Sequence, residues 1–381
     1  MNLYVLSNRG LQSSVSDDPA YELEDLLVET CDAHLLVPVM RESRQWVARS
    51  RRHTAVLLEK LIRRTTGLYQ PLEISLPETT EPNVLLVIGI SGAQLEPLSS
   101  IPDWRQRFDL VIGYVFDAWI LEAYPNFTNQ LDHLFVPLPE VIPTLQAHFG
   151  IPVSLLPFGV DALVHGSQGS DRPLDVISYG RIPFQFHQSF SKAFNQPGSA
   201  QCYYRSLPRR AEYAPTRDYY ERDDRYDRQL LFHMLRRTKV ALAFDTLYPG
   251  MRVFPYSFVT LRWFECGATG CAIAGIRPTT PIGNQLLNWQ DAVIDLPDDP
   301  ETSVQIVKDL LADSSRLEEI HRRNYRENLS RHDWRLRIQD LLTQLNLPLP
   351  TKLVYQLEQL KSLHLDCLDA QAHPPSIQSL G

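Results

Sequence analysis

Four charged side chains stand where their types can act on a small molecule. Arg262 and Glu265 lie three apart inside the stretch Pro255 to Gly275, so on a helix they are neighbours on one face. Arg181 directly follows the apolar run Leu174 to Gly180 (Leu-Asp-Val-Ile-Ser-Tyr-Gly). A guanidinium at such a strand end can bridge two phosphate oxygens with its planar fork. An ionised glutamate offers acceptors only, which suits a pair of hydroxyls. Asp117 follows the strand-like run Leu110 to Val115, where a carboxylate can take a proton from a reacting hydroxyl. Ser7, Asn8, Arg9 and Gly10, just after the first strand, form a second candidate set of ligand contacts. Each has a plainer alternative: a surface arginine, a solvated carboxylate paired to Arg262, an N-cap aspartate.

These residues need elements to hold them. Pro255 to Gly275 reads as a helix running into a strand. Val259, Leu261, Phe264 and Ala268 recur at helical spacing. Ser257 and Thr260 are N-cap candidates, and Gly267 and Gly270 suit the helix end. Cys271-Ala-Ile-Ala is short, apolar and continuous, as in a strand buried on both faces. Beside such a strand, a helix N-terminus with a charged pair is a place for a phosphorylated ligand, and the amides of Phe258, Val259 and Thr260 would face it.

Elsewhere strands alternate with helices. Strands are expected over Asn2 to Leu6, Asp32 to Val39, Asn83 to Ile90, Phe108 to Val115, Leu174 to Gly180 and Lys239 to Phe244. Helices are expected over Glu22 to Thr30, Glu42 to Thr66, Glu140 to Phe149, Gln229 to Arg237, Glu301 to Ala312, Ser314 to Leu345 and Thr351 to Leu363. This alternation predicts α/β architecture with parallel sheets covered on both faces. Val164 to Arg172 reads as an interdomain connection. Gln185 to Asp227 is rich in Tyr, Arg and Asp, with little hydrophobic periodicity, and reads as a long loop-like segment, either covering a ligand with part of its length or serving as a packed surface insertion or subunit contact.

The 381 residues leave room for two domains, and a net charge of −8 argues against a generic nucleic-acid binder. No apolar run is long enough to span a bilayer, and the N-terminus has no signal-peptide pattern. The five cysteines form no CxxC and the eleven histidines show no metal-ligand spacing. Together these point to a cytoplasmic protein with reduced thiols. The helix expected over 41–64 is strongly basic; a solvated helix face is the plainer reading, and contact with anionic lipid at the inner face of a membrane or with an anionic acceptor is the functional one.

Phe264-Glu265, Gly270 to Ala274, Gly180-Arg181 and Pro157-Phe-Gly-Val-Asp161 carry a resemblance to the GT-B glycosyltransferases, near the group 1 (family 4-like) enzymes. The resemblance implies two Rossmann-like domains facing across a cleft. An acceptor-side domain would span 1–160 and a nucleotide-sugar donor domain 161–345. A C-terminal helix and tail over 346–381 would pack back on the first domain. Glu265 would hold the ribose, while Arg181 and Arg262 would stabilise the diphosphate, with Ser257 to Thr260 adding contacts. Asp117 would lie at the cleft mouth, in a catalytic position. The family often has an acidic residue eight positions before that glutamate, and here the residue is Ser257. A lysine expected shortly after Arg181 is also missing before Phe190. The implied activity is metal-independent glycosyl transfer with no cofactor, from a nucleotide sugar to a carbohydrate, lipid-linked or small-molecule acceptor, with retention favoured. A nucleotide-sugar epimerase and a non-catalytic nucleotide-binding protein of the same shape are the alternatives.

Overall fold

The computed structural model describes residues 1–11, 17–41, 68–205, 224–251 and 254–372. They fall into two compact units, Met1–Pro157 with Ile338–Leu353, and Phe158–Arg337 with Val354–Gly381. Each unit is built on its own parallel sheet, as the alternating pattern predicts.

In the first unit, β1 (Asn2–Leu6), α1 (Asp18–Cys31), β2 (His34–Leu36), β3 (Asn83–Ser91), α2 (Trp104–Arg107), β4 (Leu110–Asp117), β5 (His133–Val136), α3 (Ile142–Phe149) and β6 (Val153–Leu155) follow one another. The sheet order is β2-β1-β3-β4-β5-β6. β1 pairs β2 with Val5 beside Leu35, and pairs β3 with Val5 beside Leu86. Val84 to Ile88 are all buried, because helical crossovers cover both faces of a parallel sheet and leave no polar side.

The second unit contains α4 (Ala162–His165), β7 (Leu174–Ser178), α5 (Phe184–Phe194), β8 (Tyr203–Arg205), α6 (Asp224–Leu235), β9 (Thr238–Phe244), α7 (Leu261–Ala268), β10 (Ala272–Ile276), α8 (Pro281–Leu286), β11 (Ile294–Asp295), α9 (Pro300–Ala312) and α10 (Ser314–Arg331). Its sheet runs β11-β10-β9-β7-β8. Two last helices, α11 (Trp334–Gln344) and α12 (Thr351–Ala372), complete the described chain. The charged region expected as one helix over Ser314 to Leu345 is thus broken at His332–Asp333. The Asp333 carboxylate there accepts from the Ala162 amide and pairs with Arg335.

In both sheets the strand order reverses at the first strand of the unit, between β1 and β3 and between β7 and β9. Crossover helices leave on opposite faces at such a point, which opens a crevice at the carboxyl ends. Ser7 to Gly10 and Tyr179 to Arg181 sit at these two places.

Two further expectations change. Gln185 to Asp227 is not loop throughout, since α5 and β8 occupy its first part. Phe186, Phe190 and Phe194 recur every four residues on α5 and are all buried, with the Phe186 ring 4.7 Å from Phe244. This stripe is a helical core face, diluted in the sequence by the Tyr and Arg that follow. Residues 206–223 of that segment lie outside the described residues, as does the basic helix expected over 41–64 apart from Arg41. Val164 to Arg172 belongs to the second unit rather than bridging two. Arg172 is buried and donates to the carbonyls of Gly169, Thr238 and Thr269 at 2.9, 2.8 and 2.8 Å, so the segment is packed down rather than free.

No helix among the described residues is long and apolar enough to cross a membrane.

Candidate functional site

α7 starts one residue after Thr260 and buries Trp263, Phe264, Glu265 and Cys266. Neither N-cap candidate caps it. Thr260 occupies the cap position without a side-chain bond, and Ser257 Oγ donates instead to Asp245 Oδ2 at 2.8 Å. Gly267 lies inside the helix rather than ending it. The helix stops at Thr269, whose hydroxyl donates to the Glu265 and Cys266 carbonyls, both at 2.9 Å. Gly270 follows with φ +75, and a Cβ there would lie 2.6 Å from the Ser167 carbonyl oxygen, so only glycine fits the turn into β10.

Glu265 is only 4% exposed. Its Oε1 accepts from Arg228 Nη1 at 2.7 Å and its Oε2 from the Tyr179 hydroxyl at 2.8 Å. The carboxylate expected to pair with Arg262 is therefore held by two residues that sequence reasoning passed over. Arg262 turns the other way and donates Nη1–H to the Arg181 carbonyl at 2.7 Å. Its guanidinium lies 5.2 Å from the centre of the Tyr179 ring. Gly180, with φ +64, makes room for this, because a Cβ there would fall 2.5 Å from Arg262 Nη2. The exposed Arg181 guanidinium packs over Phe254 at 4.6 Å. Burial, and then Cys266 and Glu265, push the Tyr179 hydroxyl well above its usual pKa, so it stays protonated and serves as a donor.

Arg181, Arg262, Glu265, Tyr179 and Arg228 thus meet at the carboxyl end of β7. The carboxyl end of β9 adds Asp245, whose Oδ1 accepts from Thr246 Oγ1 and the Leu247 amide at 3.2 and 3.3 Å. The arrangement combines two guanidinium groups for an anion with a buried carboxylate for hydroxyl donors. Tyr179 was findable, since it directly precedes Gly180-Arg181. Arg228 carried no signal among the arginines around it.

Asp117 and Ser7 to Gly10 belong to the first unit. Asp117 ends β4 and registers beside Ser91 of β3. The Ser7 and Asn8 side chains are buried and turned inward: Ser7 Oγ donates to Glu24 Oε2 at 2.6 Å, and Asn8 Nδ2 to the carbonyls of Ile88 and Gln94, each at 3.1 Å. Arg9 Nε donates to Glu24 Oε2 at 2.9 Å and Arg9 Nη2 pairs with Asp25 at 2.8 Å. Gly10 turns the chain with φ +74. Glu24, also unmarked in the sequence, is fully buried, and burial pushes its carboxyl up to about 7 against the lowering effect of Ser7 and Arg9. Among the described residues, no group of three or more His, Cys, Asp or Glu is placed to hold a metal ion.

Residues 204–343 match the family model described as "Glycosyl transferase-like". That span contains Arg228, Asp245, Ser257, Arg262 and Glu265. No curated protein matches in sequence. Among solved structures, Anabaena Alr3699/HepE in complex with UDP-glucose is 11% identical with a TM-score of 0.48, over 91% of this chain and 99% of that one. The S. aureus MnaA–UDP structure is 13% identical with a TM-score of 0.43, over 91% and 98%. The spinosyn rhamnosyltransferase SpnG is 13% identical with a TM-score of 0.34, over 90% and 100%.

Proposed function

We propose that this chain transfers a glycosyl group from a nucleotide sugar to an acceptor, as a GT-B hexosyltransferase of the group 1, family 4-like kind. One observation carries the reading. A buried carboxylate, Glu265, sits with Arg181 and Arg262 at the switch point of a parallel sheet, and Glu265 and Arg262 fall inside the span 204–343 that matches the glycosyl transferase-like family. The carboxylate takes the ribose hydroxyls, and the two guanidinium groups meet the diphosphate.

The chemistry follows from that placement. The bond from the anomeric carbon to the diphosphate oxygen breaks, its electron pair stays on that oxygen, and Arg181 and Arg262 stabilise the charge as it develops. The acceptor oxygen bonds to the anomeric carbon. In the retaining course, which we favour, its proton passes to the departing phosphate oxygen and no protein base is needed. In an inverting course Asp117 would take it. Neither course needs a metal. Of the first unit's candidates, Asp117 keeps the acceptor-side role in this reading, whereas Ser7, Asn8 and Arg9 spend their polar atoms on Glu24, Asp25 and the backbone.

Thermal unfolding of the full chain with a panel of nucleoside diphosphates tests the reading. A rise in Tm with one or more of them, together with release of that diphosphate from its nucleotide sugar, is expected. No stabilisation by any of the panel would overturn it.

A further inference from the structure

We propose that Arg228 is a positioning residue of this nucleotide site. With the Tyr179 hydroxyl, it clamps Glu265 so that one acceptor direction on each carboxylate oxygen is left for a vicinal diol. The clamp would set the preference for a ribonucleotide over its 2′,3′-dideoxy analogue. The inference rests on the reading of Glu265 given above.

Glu265 lies between Phe264 and Cys266, both buried. A carboxylate in such surroundings holds its charge only when paired and hydrogen-bonded. Arg228 supplies the counter-charge from α6, 37 residues away in the chain, and is itself 8% exposed. Its guanidinium is steered by the Phe232 ring one helical turn on, at 4.8 Å. Phe232 in turn is fully buried and stacks on His165 at 3.6 Å. The arginine therefore points at Glu265 from a rigid base.

The hydrogen-bond count then limits what can be bound. An ionised carboxylate has about four acceptor directions, two on each oxygen. Arg228 takes one on Oε1 and Tyr179 one on Oε2. Two remain, on different oxygens of one planar group, which matches two hydroxyl donors on adjacent carbons. Without Arg228, the buried carboxylate loses the 2.7 Å contact that fixes its plane, so it rotates. That removes an acceptor direction that the diol needs, while the phosphate contacts of Arg181 and Arg262 are untouched.

The test is calorimetric titration of the full chain with uridine, guanosine and adenosine diphosphates, each beside its 2′,3′-dideoxy analogue. The wild-type protein should prefer the ribo form of its best nucleotide on the order of 10- to 100-fold. In Arg228→Met that ratio should fall below about threefold, with affinity for the dideoxy form little changed. A full ratio in Arg228→Met would overturn the clamp. If that variant does not fold, Arg228→Lys decides, because an ammonium keeps the charge and loses the planar fork. A ratio lowered at least about threefold supports the clamp, and an unchanged ratio overturns it. A wild-type protein that binds a diphosphate but shows no ribo preference would instead remove Glu265 from the ribose, and the clamp with it.

Discussion

The two sheets reverse strand order at the same place and furnish the two places with opposite chemistry. At β7 and β9 the arginines face outward, with Arg181 exposed and Arg262 half-buried, and the carboxylate beneath them is ion-paired. At β1 and β3 the guanidinium of Arg9 is spent on Glu24 and Asp25, and Ser7 and Asn8 bond inward. Topology locates a crevice, but the side chains decide whether it offers charge to a ligand or keeps its polar groups for itself.

The comparison breaks most readily at Glu265. Truncation to Ala removes the ribose acceptor and also breaks the buried 2.7 Å ion pair with Arg228, which lowers stability. Glu265→Ala should therefore lower both the denaturation midpoint and nucleotide affinity. The isosteric Glu265→Gln should stay closer to wild-type stability and still bind nucleotide more weakly. Calorimetry and urea unfolding on the same samples separate the two effects, and wild-type nucleotide affinity in Glu265→Gln would end the assignment.

Arg181→Ala and Arg262→Ala should each weaken a nucleoside diphosphate by about 1.5–3 kcal/mol, as for other hydrogen bonds to charged groups, and the bare nucleoside far less. Equal losses for both ligands would place these guanidinium groups away from the phosphates and erase the contrast between the two crevices.

Glu24 sharpens the other side. Its folded value of about 7 lies above the ordinary carboxylate value of 4.5. Between those values the unfolded chain has released a proton that the folded one keeps, so stability falls as pH rises through that window. Glu24→Gln should remove this fall, giving a difference from wild type that grows in the variant's favour from pH 5 to pH 8. The paired difference matters, because Asp333, pushed up to about 6, contributes in the same direction, and His321 and His332, lowered to about 4 and about 3, in the opposite one at lower pH. Nucleotide affinity should not change. A pH-independent difference would mean that Glu24 is ionised in the folded protein across this range.

Strands β3, β4, β9 and β10 were legible because a strand buried on both faces writes itself as a continuous apolar run. The placement of Gly180-Arg181 and Glu265 beside a sheet was legible because both abut such runs. α5 was not, since three phenylalanines at helical spacing were outweighed by the polar composition of the longer segment around them. The caps were not either: Ser257 reads as an N-cap by type, but its hydroxyl donates to the Asp245 carboxylate just past the end of β9. Arg228 shows the limit most clearly. Its partner stands 37 residues away, and no local pattern distinguishes a buried arginine from a solvated one before the helix carrying it has docked. Local periodicity determined which segments are strands and which face a helix buries. Only the folded chain decided which charges meet, because that depends on how the helices pack against the sheet and on which carboxylates lose their water.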